Sequence, residues 1–339
     1  MNKSLKYGLI ILFTIACRFH ANAQDLHFSQ YFNSPLLVNP ANTGFIPDGD
    51  YRFGANYRKQ WANIGNPYKT FSVFGDGQFF ASKMENGWIG IGGALLSDVA
   101  GTGNLTTTRA FGSVAYHQTL GLGSLISTGF NIGWVNKKID FSKLTFDNQW
   151  NGKFFDIEAP SNEPFITNQI NYFTLQAGVN YAYYPNDNIY LNVGVSVSNI
   201  NRPKESFFSS SATDTRLANR ITTFVNGSFR VADAWIINPN LYVSNMTSAW
   251  EVVVGANAQR KLTEGGETQV IFGGYYRASD AFIPMIGFQQ SGVKFTFSYD
   301  ATISDLSKFN QSRGAYEFSI IKQGVISSEK GIKCPAVRF

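Results

Sequence analysis

Apolar and polar residues alternate with a period of two along most of this chain, in runs of roughly the 9–11 residues that a tilted strand needs to cross a bilayer. In 51–58, Tyr51, Phe53, Ala55 and Tyr57 alternate with Arg52, Gly54, Asn56 and Arg58. Between 172 and 183, Leu175, Ala177, Val179, Tyr181 and Tyr183 oppose Thr174, Gln176, Gly178, Asn180 and Ala182. From 189 to 198, Ile189, Leu191, Val193, Val195 and Val197 oppose Tyr190, Asn192, Gly194, Ser196 and Ser198. Val252, Val254, Ala256 and Ala258 continue the pattern. Side chains of a strand point alternately to opposite faces, so each run presents one apolar and one polar face. No stretch carries the period of an amphipathic helix.

The alternation predicts fourteen strands, at 50–59, 68–79, 86–97, 105–118, 124–139, 171–184, 188–199, 219–231, 235–244, 250–259, 268–277, 281–289, 292–300 and 313–322. Gly or Pro interrupts the second and the twelfth. Connection lengths follow parity. The even connections are short or moderate, whereas the odd series holds the excursions 60–67, 140–170, 200–218 and 301–312. Outer-membrane barrels have an even number of strands, short periplasmic turns and longer outer loops. The expected fold is therefore all-β: a single transmembrane outer-membrane β-barrel over 50–322, with about 14 antiparallel strands. It must be closed, because hydrocarbon tolerates no unpaired strand edge.

Composition agrees. Charged residues make up 15% of the chain and aromatic residues another 15%, with 32 glycines, against about a quarter charged in soluble domains. The mean hydropathy of −0.13 fits a barrel whose every second residue faces a wet lumen. Tyr51, Tyr57, Trp88, Tyr116, Trp134, Tyr181, Tyr183, Trp235 and Tyr299 fall near strand ends, where aromatic girdles sit.

Residues 1–23 read as a signal peptide: Lys3 and Lys6 precede the apolar run Tyr7–Ala16, and Ala21-Asn22-Ala23 offers the cleavage site. The run is too short for a membrane anchor, and Thr14-Ile15-Ala16 before Cys17 makes a poor lipobox. Lys3, Lys6 and Arg18 leave with it, so the mature balance is 25 bases against 23 acids, which gives no reason to invoke nucleic acid. Cys17 leaves too, and Cys334 alone forms no intramolecular bridge.

Residues 24–49 have neither period. Phe28, Tyr31, Phe32, Leu36, Leu37 and Val38 keep no steady spacing, and Pro35, Asn39, Pro40, Asn42 and Gly44 give a turn-rich path. An aromatic segment of this kind is expected to be tied down, as a plug in the lumen, as a clasp at the periplasmic mouth, or as a docking peptide. Residues 323–339 form a tail on the same side as this N-terminal segment. Catalytic patterns are missing: the sequence has no HExxH, CxxC, Walker or GxGxxG-helix motif, and His27 and His117 lie in different elements. No enzymatic activity, cofactor or metal is expected. Recognition is expected instead from the long loops. Phe146, Trp150, Phe154 and Phe155 in 140–170, and Phe207 and Phe208 in 200–218, either pack on the barrel mouth or meet a partner.

The order Gln24-Asp25, His27-Phe28-Ser29-Gln30-Tyr31, then Leu36-Leu37-Val38-Asn39-Pro40-Ala41-Asn42-Thr43-Gly44 resembles the start of the PorP/SprF family. Tyr57-Arg58-Lys59-Gln60-Trp61, Tyr275-Tyr276-Arg277 with Asp280-Ala281, Ser298-Tyr299-Asp300, Gly314-Ala315-Tyr316-Glu317 and Cys334-Pro335 are similar to further elements of that family. The resemblance implies an outer-membrane protein of the type IX secretion and gliding-motility machinery. Its partners would be outer-membrane lipid, other type IX secretion components and a secreted surface adhesin, exported or anchored through its C-terminal targeting domain. Asn39-Pro40-Ala41 also resembles an element of FadL-like barrels, so uptake or binding of a small apolar molecule is the alternative.

Overall fold

The computed structural model describes residues 28–46, 49–62, 65–81, 83–156, 158–163, 167–207 and 215–326. Cys17, His27, Phe208 and Cys334, and with them the signal peptide and most of the tail, lie outside the described residues. Fourteen strands form one closed antiparallel barrel. They are β1 (Tyr51–Gln60), β2 (Tyr68–Phe79), β3 (Gly87–Ala100), β4 (Leu105–Gly121), β5 (Ser124–Lys138), β6 (Gln169–Asn186), β7 (Ile189–Ser198), β8 (Arg220–Ala232), β9 (Trp235–Met246), β10 (Ala249–Lys261), β11 (Thr268–Arg277), β12 (Ala281–Gln290), β13 (Val293–Thr302) and β14 (Arg313–Gly324). Each strand pairs with its neighbours in sequence, and β14 closes on β1 from Tyr51↔Gly324 to Gln60↔Ala315. Every strand therefore has a partner on both sides, which satisfies the backbone groups that lipid would leave bare.

The burial pattern is the inverse of a soluble sheet. Phe53, Leu95, Ile132 and Phe173 are among the outward residues and are exposed. Arg58, Ser127, Asn180, Ser196 and Glu317, on the opposite face of their strands, are buried. The polar half of each alternating run thus lines the interior, and the apolar half forms the band that meets lipid. No described helix is long and apolar enough to cross a membrane; strands make the crossing.

Strands form where the alternation predicts them, including the two interrupted runs. At Pro284 the missing N–H shows in the ladder: Phe282 pairs with Ala301 and Met285 with Ser298, while Ile283 and Pro284 have no partner on β13. Nearby, the β13–β14 register shifts between Asp300 and Ala301, just past the carboxylate discussed below. β6 runs two residues further at each end than the hydropathy pattern indicates, and β4 three residues further at its C-terminal end, reaching 18 and 17 residues. At this length they exceed what a bilayer requires, and β6 carries its end of the large loop 139–168 away from it.

Candidate functional site

Residues 28–46 occupy the lumen. They make a short 3-10 turn at Tyr31–Asn33, one helical turn at Pro35–Val38 and a second 3-10 turn at Pro40–Asn42. Pro35 and Pro40 start the latter two, where a missing N–H costs nothing, and the Asn39 side chain accepts the Ala41 N–H at 2.9 Å. Phe28, Tyr31, Asn39, Pro40, Ala41 and Gly44 are all buried, and Phe32 partly so. The segment is a lumenal plug rather than a clasp at the mouth. It rises through the barrel: Gly44 lies by the short-turn ends of β2 and β3, while Ser29 lies by the long-loop ends of β1, β11 and β13.

Ser29 sits in a buried ion-pair cluster. Arg58 and Arg277 both bind the Asp300 carboxylate, at 2.8 and 2.7 Å. Arg277 also reaches Asp280 at 2.8 Å and Glu251 at 3.7 Å. Glu317 accepts the backbone N–H groups of Ser29 and Gln30, at 2.8 and 2.9 Å, and faces Arg58 at 3.3 Å. The Ser29 hydroxyl donates to Asp300 and accepts from both arginines. Buried charges persist only when paired and hydrogen-bonded; here the plug backbone completes the set. Arg58, Arg277 with Asp280, Asp300 and Glu317 belong to four separate sequence elements of the PorP/SprF resemblance. The barrel brings those elements together on one plug residue. Alternation already put Arg58 inside, but which strands would converge was not readable from the sequence.

Lower down, the wall makes room for the turn Asn39–Gly44. A Cβ at Gly90 would lie 1.9 Å from the Thr43 carbonyl oxygen, one at Gly129 2.3 Å from the Pro40 carbonyl carbon, and one at Gly178 2.1 Å from the Asn39 side-chain oxygen. Gly44 has φ +68°, which favours glycine, and its missing Cβ would lie 2.4 Å from Gly90 Cα. Asn39 donates to the Val179 and Val195 carbonyls and to Asn180. His117 donates through Nε2 to the Thr43 carbonyl at 2.8 Å, with Nδ1 2.7 Å from the Ser127 hydroxyl. Trp88 stacks on its ring and donates to the Gly44 carbonyl, and Phe45 stacks on the ring as well. Thr43 and Ser113 share a hydroxyl hydrogen bond. Above this turn Tyr31 and Phe32 pack on Tyr242 and Tyr275, and Leu36 meets Phe74, Ala94 and Ile321. Each fully buried apolar side chain contributes roughly 1.5–3 kcal/mol.

The long-loop rim differs. In loop 139–168 Gln149 is the buried post: its Nε2 donates to the Ala159 carbonyl, and its backbone carbonyl accepts the Asp156 N–H. A bridge pairs Trp150 with Phe155, their rings 5.0 Å apart. Yet Trp150, Phe154 and Phe155 are 49%, 59% and 49% exposed; only Phe146 is partly sheltered. At the loop's start the Ser142 hydroxyl donates to Asp140 at 2.6 Å and holds its carboxyl below the usual carboxylate range. Phe207, partly buried, meets Phe141 edge-on at 6.4 Å and links the two loops. Glu205 anchors the second loop to the wall through Lys137 and Tyr172. Phe309, in the four-residue helix Ser307–Asn310 of loop 303–312, is 82% exposed and joins the outer aromatic set. Its signal in the sequence was only one aromatic in a short polar loop.

Among the described residues no group of three His, Cys, Asp or Glu side chains is placed to hold a metal. Two cavities flank the plug. One of about 100 Å³ lies beside Phe28, Tyr31, Leu37 and Val38; the other, of about 590 Å³, lies below Phe32 and Pro35 toward the short turns.

The family described as type IX secretion system membrane protein PorP/SprF matches residues 20–321. No match is found among curated protein sequences. The chain is also similar, at low identity, to several solved structures. The CymD monoaromatic hydrocarbon channel is 10% identical with a TM-score of 0.49, covering 87% of this chain and 93% of its own. A Pseudomonas aeruginosa FadL homologue is 9% identical at 0.48, covering 86% and 94%. The translocator domain of the autotransporter NalP from Neisseria meningitidis is 11% identical at 0.43, covering 86% and 95%.

Proposed function

Since the chain belongs to the PorP/SprF family of type IX secretion membrane proteins, we propose that it is a non-catalytic outer-membrane receptor. It binds the C-terminal targeting domain of a secreted surface protein, an adhesin of the secretion and gliding machinery, at the long-loop rim. The observation that carries this reading is Trp150, Phe154 and Phe155 standing half-exposed on a loop whose backbone is otherwise fixed by Gln149. Bare aromatic rings on a fixed scaffold suit a protein interface, where aromatic anchors dominate the energy.

Uptake of a small apolar molecule is the less well supported alternative. The plug is held by buried ion pairs at its outer end and by fitted glycines at its inner end. The larger remaining cavity places amides and two cations beside its apolar residues, so an apolar solute crossing it would have to desolvate polar groups. The test is complementation of a deletion strain with the triple variant Trp150→Ser, Phe154→Ser, Phe155→Ser. The barrel should assemble at normal levels, and its co-purifying surface protein should fall about tenfold or more, as expected for loss of interface anchors. Unchanged co-purification, or a deletion strain impaired in uptake of apolar molecules with normal surface display, would refute the receptor reading.

A further inference from the structure

The cavity of about 590 Å³ below the plug is a second feature, separate from the outer rim. Its size is within the range of ligand sites. The turns Gly265–Gly266 and Gly292 contribute to its lower rim, so it opens on the short-turn, periplasmic side. Phe32 and Pro35 of the plug form its roof. It exists because the plug leans to one side: Asn39–Gly44 is fitted against β3 to β7, leaving the inner ends of β8 to β14 uncovered.

Its lining has an unusual balance. Arg52 and Lys294 contribute two cations, and among the described residues no carboxylate lines the cavity. Asp76 lies behind Arg52 and is bound to it at 2.7 Å, with the Gly44 N–H on the same carboxylate oxygen. Lys294 has no ion pair or hydrogen bond among the described residues. Its strand position sets it inward, in step with Thr296, Ser298 and Asp300. Around it the side chains of Gln259, Gln289 and Gln323 are likewise without partners among the described residues, and the Gln269 carbonyl oxygen is buried without a donor. Asn226, Asn240 and Asn257, by contrast, satisfy one another and Tyr31 and Tyr275. One part of the lining is structural; the other is unspent donors and acceptors around a free ammonium.

We propose that this vestibule binds an extended acidic segment of a periplasmic polypeptide, with a carboxylate on Lys294 and main-chain amides on Gln259, Gln289 and Gln323. Amides donate and accept, as a peptide backbone does. Ile236, Ile271, Met285 and Ile321 supply an apolar strip for side chains. Few aromatic faces line it, Phe32 and Tyr190 being the two, so it is ill-equipped to stack sugar rings. The inference is independent of the outer-rim receptor and survives if that reading fails.

The test uses the full chain in detergent and the fluorescein-labelled pentapeptide GSVDE with a free carboxy-terminus, read by anisotropy. Its controls are the amidated neutral counterpart GSVNQ and a trigalacturonate competitor. The acidic peptide should bind, weaken with added salt, and lose about tenfold or more in affinity in Lys294→Met, the loss expected for one charge-assisted contact. Gln289→Leu, which leaves the charge in place, should weaken both peptides and reports on the amides separately. A heat-modifiable gel shift equal to that of the unaltered protein confirms that each variant is folded. Equal binding of both peptides, an unchanged affinity in folded Lys294→Met, no binding of either peptide, or displacement by trigalacturonate at lower concentration than by unlabelled GSVDE would each overturn the proposal.

Discussion

Residues 28–46 and loop 139–168 are both aromatic-rich and both lack a strand pattern, yet the barrel treats them in opposite ways. The plug meets a wall shaped for it: glycines stand where its backbone approaches, and charged or amide side chains where its polar groups point. The outer loop is closed mainly on itself, through Gln149 and the Trp150–Phe155 pair, and leaves its rings in water. Burial without complement would be costly for the first; exposure without a partner is costly for the second. A segment whose groups are nearly all answered from within the chain, the Asn33 side-chain oxygen being an exception, is structural. One whose rings are not answered is offering them elsewhere.

That contrast can be broken first at the charge cluster. Asp300→Ala removes the carboxylate that Arg58 and Arg277 share, leaving Arg58 with Glu317 alone and Arg277 with Asp280 and Glu251, and should destabilise the barrel by about 3–5 kcal/mol, measured as the temperature of the heat-modifiable gel shift. A shift within 1–2 °C of wild type would mean that the cluster does not hold the plug. Gly90→Ala places a Cβ against the Thr43 carbonyl, and overpacking of this kind costs about 1–3 kcal/mol. It should also make residues 28–46 newly accessible to protease, and continued protection at full stability would contradict the fit described for the wall. Asn39→Ala removes donors to Val179, Val195 and Asn180 and should cost about 1–3 kcal/mol, by the same melting measurement. Phe154→Ser should change stability by less than about 0.5 kcal/mol, as an exposed substitution does, while weakening capture of the surface partner. If it melted the barrel instead, the loop would be structural after all.

The strands were legible because a period of two survives residue by residue, as in Tyr51 to Arg58, and because Gly and Asn-Asp turns mark one end of the barrel. Even the Pro284 interruption was absorbed by one gap in a ladder. The plug was legible as something that must be held, since Pro35, Pro40 and Gly44 forbid a regular element. Its position was not, because Ser29 finds Asp300 and Glu317 more than 270 residues away, and alternation gives facing, not partners. Gly90, Gly129 and Gly178 carry no mark in the sequence of what they admit; the approach of Thr43, Pro40 and Asn39 explains them. The aromatic residues of loop 140–170 could be read as bare or as packed on the mouth; Trp150, Phe154 and Phe155 stand out in solvent, and Phe146 is partly sheltered.

The most direct test of a sealed barrel with a receptive rim is site-specific photocrosslinking in intact cells. A photoreactive amino acid at position 154, on the outer loop, is compared with one at position 32, on the plug. Position 154 should give an adduct with a secreted surface protein, and position 32 should give no surface-protein adduct. A surface-protein adduct at position 32 with none at 154 would contradict the account, since it would put the cargo in the lumen.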